Sequence, residues 1–267
     1  MRRNLVKRKL AQGQPTIGTW LTVPDLHIAR VLAGMGFDWL TLDMEHNPID
    51  LHQAATIFAA VADAGCAPLV RIPTGSPMWI KRVLDAGAFG IVVPMVDTVA
   101  QAQAAITAAH YPPRGSRSAG GGMHHLNFGC SADEYYRRAD DEILVVLQTE
   151  SPRGVDNARE IYSLPGCDAV FIGPNDLRFQ MRNHGGEFPT AEQHAGMIQR
   201  VIDVGREVGT PTGIHARSPA EVLRRIEDGM QFIALSSDLE LLTSAASQAL
   251  DALGYLSDRS PADTDAV

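Results

Sequence analysis

The sequence lacks several features that mark particular protein classes. Its 267 residues include only three cysteines, Cys66, Cys130 and Cys167, which are too few and too widely spaced for a disulfide framework or a cysteine metal site. No apolar run approaches the roughly 18 residues of a membrane span, and the basic N-terminus has no apolar signal-peptide core. These absences predict a soluble protein of the cytoplasm that does not contact a membrane.

Runs of positive charge are also absent. The longest is Lys7-Arg8-Lys9, and the formal net charge at pH 7 is −8. Nucleic acids and anionic membranes bind clusters of Lys and Arg, so neither is an expected partner. The composition favours small-molecule partners.

What the sequence does contain is a regular alternation of short apolar runs and longer segments of helical periodicity. The predicted strands are Ile17–Leu21, Trp39–Asp43, Leu69–Ile72, Ile91–Met95, Ile143–Thr149, Ala169–Gly173, Thr212–His215 and Phe232–Ser236. Helical patterns lie near 25–34, 51–64, 77–86, 98–109, 155–163, 191–208, 219–229 and 238–252. This content is typical of an α/β fold, the (β/α)8 TIM barrel. A doubly wound open sheet is the alternative, but no G-x-G-x-x-G follows the first strand.

Domain boundaries are hard to find inside this pattern. We therefore expect a single barrel domain over residues 1–252 and a polar, disordered tail over 253–267. The longest irregular stretch, 110–136, is rich in Pro, Gly and polar residues, which predicts a long active-site loop. Within it, SAGGGM favours a flexible lid, and His124 and His125 are candidates to close over a substrate.

Polar residues follow the predicted strands at their C-terminal ends, where a barrel enzyme builds its site. These residues include Asp43, Glu45, His46, Arg71, Gln148, Glu150, Asp176, His215 and Ser236. Charged groups behind buried strands are inexpensive only where the strand opens into a wet, polar cavity. The pattern therefore predicts one polar mouth.

Glu150 and Asp176 are the candidate metal ligands. Two carboxylates on adjacent strands, with Gln148 nearby, offer an all-oxygen site that suits Mg²⁺, Mn²⁺ or Co²⁺ better than a Cys/His zinc site does. The alternative is that Glu150 caps a strand end and Asp176 caps the turn after Pro174. Spacing alone leaves both interpretations open.

Arg71 and His46 are the candidates for charge stabilisation and proton transfer. A fixed arginine at the mouth stabilises an enolate or carboxylate oxygen, although pairing with Glu45 or Asp43 is the alternative role. His46 is the natural general base because its pKa range lets it exchange a proton near pH 7. A satisfied loop histidine is the alternative there.

The sequence also offers candidates for substrate binding. Gly173 and Pro174 bend the chain so that backbone N–H groups of Asn175 and Asp176 face the cavity, where they can bind a carboxylate. We assign Trp20 and His215 to the lining of the same pocket.

Seven segments together resemble the HpcH/HpaI aldolase family, the metal-dependent class II pyruvate aldolases. The segments are TLDMEH, PLVRI, KRVLDAGAFGIVVPMV, YPPRGSRSAG, VLQTESPRGVDN, PGCDAVFIGPNDL and ALSSDLELL. The resemblance covers roughly residues 5 to 252, and the segments occur in the family's order. It implies a barrel of the phosphoenolpyruvate/pyruvate-domain type in which a divalent metal is held at Glu150 and Asp176. It also implies cleavage and formation of a 4-hydroxy-2-oxo acid, as in heptane-1,7-dioate or 2-keto-3-deoxy sugar acid aldolases.

The resemblance further implies a role for each matching residue. Pyruvate chelates the metal, the Gln148 side chain and the Asn175 backbone contact substrate, and Arg71 stabilises the enolate. His46 is the base, Asp43 orients it, and Asp85 reaches across from a neighbouring subunit to raise its basicity. The implied assembly is a hexamer, a trimer of dimers, with C-terminal helices exchanged between subunits.

A Schiff-base mechanism has no suitable lysine. The only lysines are Lys7, Lys9 and Lys81, and none follows a predicted strand. The sequence departs from the family at Arg178 and in GGGMHHLNFG over 120–129, both on the aldehyde side. The pyruvyl half is therefore better predicted than the second substrate, and hydroxypyruvate in place of pyruvate stays open.

Three rival functions remain at this stage. One is a macrophomate-synthase-like enzyme that forms the enolate by decarboxylating oxaloacetate. Another is a relative of citrate lyase β or malyl-CoA lyase, for which the chain is short and has few basic residues near the mouth. The third, a catalytically silent binding barrel, is disfavoured because His46, Arg71, Glu150 and Asp176 occur together.

Overall fold

The computed structural model describes residues 1–255 of the chain. Eight parallel strands pair in sequence order, and the last pairs with the first to close a barrel. They are β1 (Thr16–Leu21), β2 (Trp39–Asp43), β3 (Ala67–Arg71), β4 (Gly90–Val93), β5 (Leu144–Thr149), β6 (Ala169–Ile172), β7 (Thr212–Ala216) and β8 (Phe232–Ser237). The predicted barrel is confirmed, and each strand lies within two residues of its expected bounds.

The strands are buried along almost their whole length. All five residues of β2 and all six of β5 are buried, which accounts for their largely apolar sequence. Parallel strands covered by helices on one side and by the barrel interior on the other have this composition. The core therefore consists of the barrel wall and the helix faces that pack on it.

The helices surround this wall. They are α1 (Leu5–Ala11), α2 (Leu26–Ala33), α3 (Leu51–Asp63), α4 (Pro77–Asp85), α5 (Val99–Ala109), α6 (His124–Asn127), α7 (Ala132–Glu142), α8 (Pro152–Asp156), α9 (Ala158–Tyr162), α10 (Pro174–Gln180), α11 (Ala191–Val208), α12 (Pro219–Glu227) and α13 (Asp238–Ala252). Within residues 1–255, no helix is long and apolar enough to cross a membrane.

Several helix predictions need correction. The single helix expected at 155–163 is two short helices, α8 and α9, which meet at Asn157. The helices α1, α6, α7 and α10 were not predicted. Of the tail expected over 253–267, residues 253–255 form a turn and the rest lies outside the described residues.

Helix α1 closes the N-terminal end of the barrel. Asn4 caps it by accepting a hydrogen bond from the Lys7 amide, while Val6 and Leu10 are buried. Lys7 Nζ donates to the Ile143 carbonyl at 2.6 Å and pairs with Asp168 at 3.0 Å. Because both partners precede strands, this helix lies opposite the C-terminal ends of the strands.

The segment 110–136 is not an active-site loop of its own barrel. It follows the C-terminal end of α5 and leads through α7 into β5, so it lies at the N-terminal ends of the strands. Phe128 stacks on Phe89 with ring centroids 3.9 Å apart, and Asn127 Nδ2 donates to the Gly87 carbonyl at 3.0 Å. The expected lid therefore lies on the face opposite its own mouth.

Candidate active site

A cavity of about 800 Å³ opens at the C-terminal ends of the strands. Residues from seven strands line it: Trp20, Asp43, Arg71, Gln148, Phe171, His215 and Ser237. The residues that begin α10 also line it. Of the polar residues predicted to share one mouth, five line this cavity: Asp43, Arg71, Gln148, Asp176 and His215.

Arg71 and Asp43 are joined by a two-point salt bridge within the site. They are register partners on β3 and β2, and Arg71 donates from Nε to Asp43 Oδ1 at 2.8 Å and from Nη2 to Oδ2 at 2.9 Å. The Trp20 ring centroid lies 4.7 Å from the Arg71 guanidinium carbon. Burial works against the charged guanidinium, but the hydrogen bonds and charge of Asp43 raise the Arg71 pKa above its ordinary value. Arg71 is thus a fixed cation whose remaining nitrogen is left for a ligand.

His46 is not oriented by Asp43 in this chain. Asp43 is occupied by Arg71 and by Asn47, whose Nδ2 donates to Oδ2 at 2.6 Å. His46 Nε2 lies 3.6 Å from Glu45 Oε2, and the His46 side chain is 59% exposed. The predicted base therefore stands at the rim, beside Glu45 rather than Asp43.

Two carboxylates lie near Arg71 at the mouth: Glu150, which is buried, and the half-buried Glu45, whose Oε2 lies 3.3 Å from Arg71 Nε. Glu150 is 1% exposed, and burial raises its pKa to about 7, with further contributions from the charges of Glu45 and Asp176. Burial likewise raises the pKa of Glu45 to about 7, although Arg71 opposes this shift. Like charges that raise one another's pKa indicate carboxylates gathered in one place.

Glu150 is held by hydrogen bonds to both of its carboxylate oxygens. Its Oε1 accepts the Met95 amide at 2.7 Å, and its Oε2 accepts Gln148 Nε2 at 2.5 Å. Met95 has a φ of 52°, an uncommon value for a residue with a side chain, and this conformation places its N–H on Glu150. A Cβ at Gly173 would lie 2.3 Å from Glu150 Oε2, so glycine is required for β6 to end so close.

This donor set fits a divalent cation. Gln148 Oε1 is buried and has no hydrogen-bond partner among the described residues. Glu45 Oε2 also accepts no hydrogen bond there, but it lies 3.3 Å from Arg71 Nε in an ion pair. Across residues 1–255, no three His, Cys, Asp or Glu side chains converge as a ready-made metal cluster. A site with two carboxylates, completed by oxygens of water or substrate, matches the preferences of Mg²⁺ and related ions.

The predicted turn at Gly173 and Pro174 is the N-terminus of helix α10. Gly173 is its N-cap and Pro174 its first residue, so the first-turn amides of Asn175 and Asp176 have no intrahelical acceptor. His194 Nε2, on α11, lies 2.9 Å from the Pro174 carbonyl oxygen and fixes this turn. The α10 N-terminal turn lines the cavity as the sequence predicted, but as a helix rather than a loop.

Asp85 is separated from the mouth of its own barrel. It ends α4 on the N-terminal face of the barrel, where Arg117 Nη2 donates to its Oδ1 at 2.7 Å. Beside it, His124 is fully buried and packs 4.3 Å from the Tyr135 ring, so it does not close over a substrate in the same barrel. Only a second copy of the chain can bring Asp85 to a mouth.

Sequence reasoning missed three contributors to the mouth. The Met95 amide follows β4 without a side-chain signal, Asn47 holds Asp43, and Glu240 lies on α13 beside His215. Only Asn47 carried a usable signal, because it stands four residues after Asp43 at a strand end. The other two depend on how distant segments meet.

Sequence and structure comparisons identify known proteins that are similar to this chain. A sequence model of the HpcH/HpaI aldolase/citrate lyase family matches residues 16–245. A hydroxypyruvate/pyruvate aldolase from Chromohalobacter salexigens is 37% identical over 244 residues, covering 91% of this chain and 95% of that protein. A 5-keto-4-deoxy-D-glucarate aldolase from Klebsiella pneumoniae is 36% identical, covering 93% of this chain and 96% of that protein. A solved HpcH/HpaI aldolase/citrate lyase family protein from Burkholderia cenocepacia superposes with a TM-score of 0.86 at 33% identity, over 94% of this chain and 99% of that one.

Proposed function

The chain belongs to the HpcH/HpaI aldolase/citrate lyase family, and we propose that it is an aldehyde-lyase. It reversibly cleaves a 4-hydroxy-2-oxo acid into pyruvate, or hydroxypyruvate, and an aldehyde. The observation that carries the proposal is the fixed cation Arg71 gathered at one mouth with the half-buried carboxylate Glu45 and the buried carboxylate Glu150. Such a site suits a 2-oxo acid that develops negative charge on oxygen.

Glu150 and Asp176 would hold a divalent metal, Mg²⁺, Mn²⁺ or Co²⁺. When bound, the cation would offset the repulsion among these carboxylates and polarise the 2-oxo group, which lowers the cost of removing a proton or breaking the carbon–carbon bond. The unpartnered Gln148 Oε1 and the close approach that Gly173 permits support this assignment.

The chain's own residues bind and orient the 2-oxo acid. The free guanidinium nitrogen of Arg71 stabilises the oxygen that becomes negative in the enolate, through a charge-assisted hydrogen bond. Backbone N–H groups of Asn175 and Asp176 bind the substrate carboxylate, and Gln148 contacts its oxygens. Trp20, whose ring packs on Arg71, forms an apolar wall that excludes water.

His46 exchanges the proton of the pyruvyl methyl group. Its neighbour Glu45, 3.6 Å away, stabilises the charged imidazole. Asp43 acts through Arg71, which it holds in place, and is therefore a positioning residue. Because His46 is exposed at the rim of an isolated chain, we propose that a second copy covers it and supplies Asp85, which Arg117 already fixes.

The C-terminal helix supports an oligomer. Only Asp238 of α13 is buried, while Leu239 is 48%, Leu242 60% and Leu250 39% exposed. The helix contacts β1 and β8, but these leucines form an apolar face that its own barrel does not cover. We propose that α13 packs against a neighbouring subunit, as in an exchanged hexamer built as a trimer of dimers.

We also propose a cytoplasmic location, which the free cysteines Cys66, Cys130 and Cys167 favour.

The first test is proton NMR of pyruvate in D₂O. We expect the methyl signal to be lost after incubation with Mg²⁺, Mn²⁺ or Co²⁺ and retained when a chelator is present throughout. Every sample receives excess chelator before its spectrum is recorded, because paramagnetic Mn²⁺ and Co²⁺ would otherwise broaden the signal. The same is measured on the C3 protons of hydroxypyruvate. Glu150→Gln is the matched variant and should not exchange. No exchange by folded protein with any of the three metals and either acid would overturn the proposal. Exchange without addition to any aldehyde, combined with decarboxylation of oxaloacetate, would favour the macrophomate-synthase-like alternative.

A further inference from the structure

The cavity is larger than a pyruvyl group needs. At about 800 Å³ it lies toward the upper end of the roughly 300–1,000 Å³ that is usual for small-molecule sites. It continues past Gln148 to residues of α11, α12 and α13. This outer half is where the acceptor aldehyde, or the matching half of an aldol, has room to bind.

Two histidines among the described residues line the cavity, and they differ in what holds them. His194 Nε2 forms a hydrogen bond with the Pro174 carbonyl oxygen, 2.9 Å away. His215, at the end of β7, has its Nε2 3.6 Å from Glu240 Oε2, and nothing in residues 1–255 forms a hydrogen bond with its Nδ1. The distance to Glu240 is long for a hydrogen bond, but it is short enough for the carboxylate to stabilise a charged imidazole.

The end of β8 is shaped to hold Glu240 there. Gly18 pairs with Ala234, but Trp20 pairs with Ser237, so β8 contains one extra residue at this point. The bulge includes Ser236, whose φ is 57°, and Ser236 Oγ donates to Glu240 Oε2 at 2.9 Å. Bulges beside active sites commonly redirect a side chain, and strained residues persist where surrounding structure holds them. Here the bulge positions the carboxylate beside His215.

We propose that His215 is a second proton-transfer residue of the enzyme, serving the acceptor-side oxygen, and that Glu240 is its positioning residue. The inference rests on the proposed aldolase function. In cleavage, Nδ1 of His215 takes the proton from the C4 hydroxyl, and the electron pair of that O–H bond forms the aldehyde C=O. The C3–C4 bonding pair remains on C3 as the enolate of the pyruvyl half. Addition reverses each transfer, and His46 is left to exchange the pyruvyl methyl proton.

The charges around His215 suit this role. Burial lowers the His215 pKa below the ordinary value, which keeps the ring neutral near neutral pH. Glu240 on the Nε2 side favours the tautomer with the proton on Nε2 and Nδ1 unprotonated. Glu240 from α13 raises the pKa, Arg217 in the turn after β7 lowers it, and Glu221 from α12 raises it. The nearest of these charges, Glu240, stabilises the imidazolium that forms when the proton arrives.

The test compares two rates in the same holoenzyme preparations. One is exchange of pyruvate methyl protons in D₂O without aldehyde, which needs only the pyruvyl half. The other is cleavage of the adduct of pyruvate with whichever of glyoxylate, glycolaldehyde and acetaldehyde the wild type adds fastest. For His215→Leu we expect the ratio of cleavage to exchange to fall about 100-fold or more, the usual contribution of general acid–base catalysis. His52→Leu, an exposed histidine on α3, is the control and should keep the wild-type ratio.

Glu240→Gln separates proton transfer from a structural role. Removing the carboxylate charge lowers the His215 pKa, so the rising limb of the cleavage pH profile should move to lower pH, with no such movement in the exchange profile. A cleavage-to-exchange ratio for His215→Leu within threefold of wild type, or an unmoved limb in Glu240→Gln, would overturn the inference. Absence of exchange in the wild type would instead count against the proposed function.

Discussion

Replacing Glu150 by glutamine should stabilise the metal-free protein at alkaline pH. Burial, with the charges of neighbouring carboxylates, raises the pKa of Glu150 from its ordinary value of 4.5 to about 7 in the folded chain. Holding it ionised well above pH 7 therefore costs about 3 kcal/mol of folding free energy. Below pH 4.5 the carboxyl is protonated in both states and nothing is lost. The loss accumulates as the pH rises from 4.5 to 7.

The new amide can be accommodated by the groups already present. Its oxygen can still accept the Met95 amide, now at 2.7 Å from Glu150 Oε1. Gln148 presently donates to Glu150, but its own Oε1 is unpartnered, so turning the Gln148 amide lets it accept from the new side chain. Allowing for this rearrangement, we expect a net gain of about 2 kcal/mol at pH 8, falling below about 1 kcal/mol at pH 5.

Urea unfolding in a chelator at pH 8 and pH 5 measures the difference. Glu142→Gln is the matched control, since Glu142 is equally buried but accepts from Arg8 at 2.6 Å and the Asn4 amide at 2.7 Å. That variant should lose stability at both pH values. Adding Mn²⁺ should then stabilise wild type and not Glu150→Gln. A Glu150→Gln protein that is less stable than wild type at pH 8 in chelator, or that gains equally from Mn²⁺, would refute the reasoning.

Three further changes test other parts of the site. Arg71→Lys removes the two-point contact with Asp43 and should lower kcat/KM for aldol cleavage about 100-fold with an unchanged circular dichroism spectrum; a loss under threefold would mean that the guanidinium geometry is unimportant. Asp85→Asn should lower pyruvate proton exchange at least tenfold although Asp85 is remote from its own mouth, and full exchange would remove it from the site. Leu242→Arg places a charge on the uncovered side of α13 and should lower the sedimentation coefficient. Leu223→Arg, at an equally exposed position on α12, is the control and should leave the sedimentation coefficient unchanged. If Leu242→Arg also leaves it unchanged, α13 is not part of the interface.

The barrel and much of its mouth could be predicted because both depend on order along the chain. Buried parallel strands are continuous apolar runs, and a polar residue directly after such a run falls at the mouth, as Arg71 and Glu150 do. Asp43 shows the limit of this reasoning. Its neighbour in sequence, His46, was the expected partner, but strand register brings Arg71 to it instead.

Other features depended on packing that no local pattern reveals. The charged helix α7 buries Tyr135 and Ala139 from within a stretch whose Gly and Pro content favoured a loop. Glu240 lies 25 positions after His215, and a bulge in a different strand brings them together. Strands and helices alternate in direction along the chain, so the face of the barrel on which 110–136 lies can be worked out only once α7 has been recognised as a helix.

The two residues other than glycine with positive φ among residues 1–255, Met95 and Ser236, both stand at the mouth, after β4 and at the end of β8. Each conformation costs of order 1–3 kcal/mol that a glycine would largely relieve. Random mutagenesis scored for thermal tolerance should therefore collect glycine at these two positions, whereas a screen for turnover should reject it. Substitutions intended to raise thermal stability are better placed at the opposite end of the barrel, around α1 and α7. Improved packing there does not alter a group that faces the substrate.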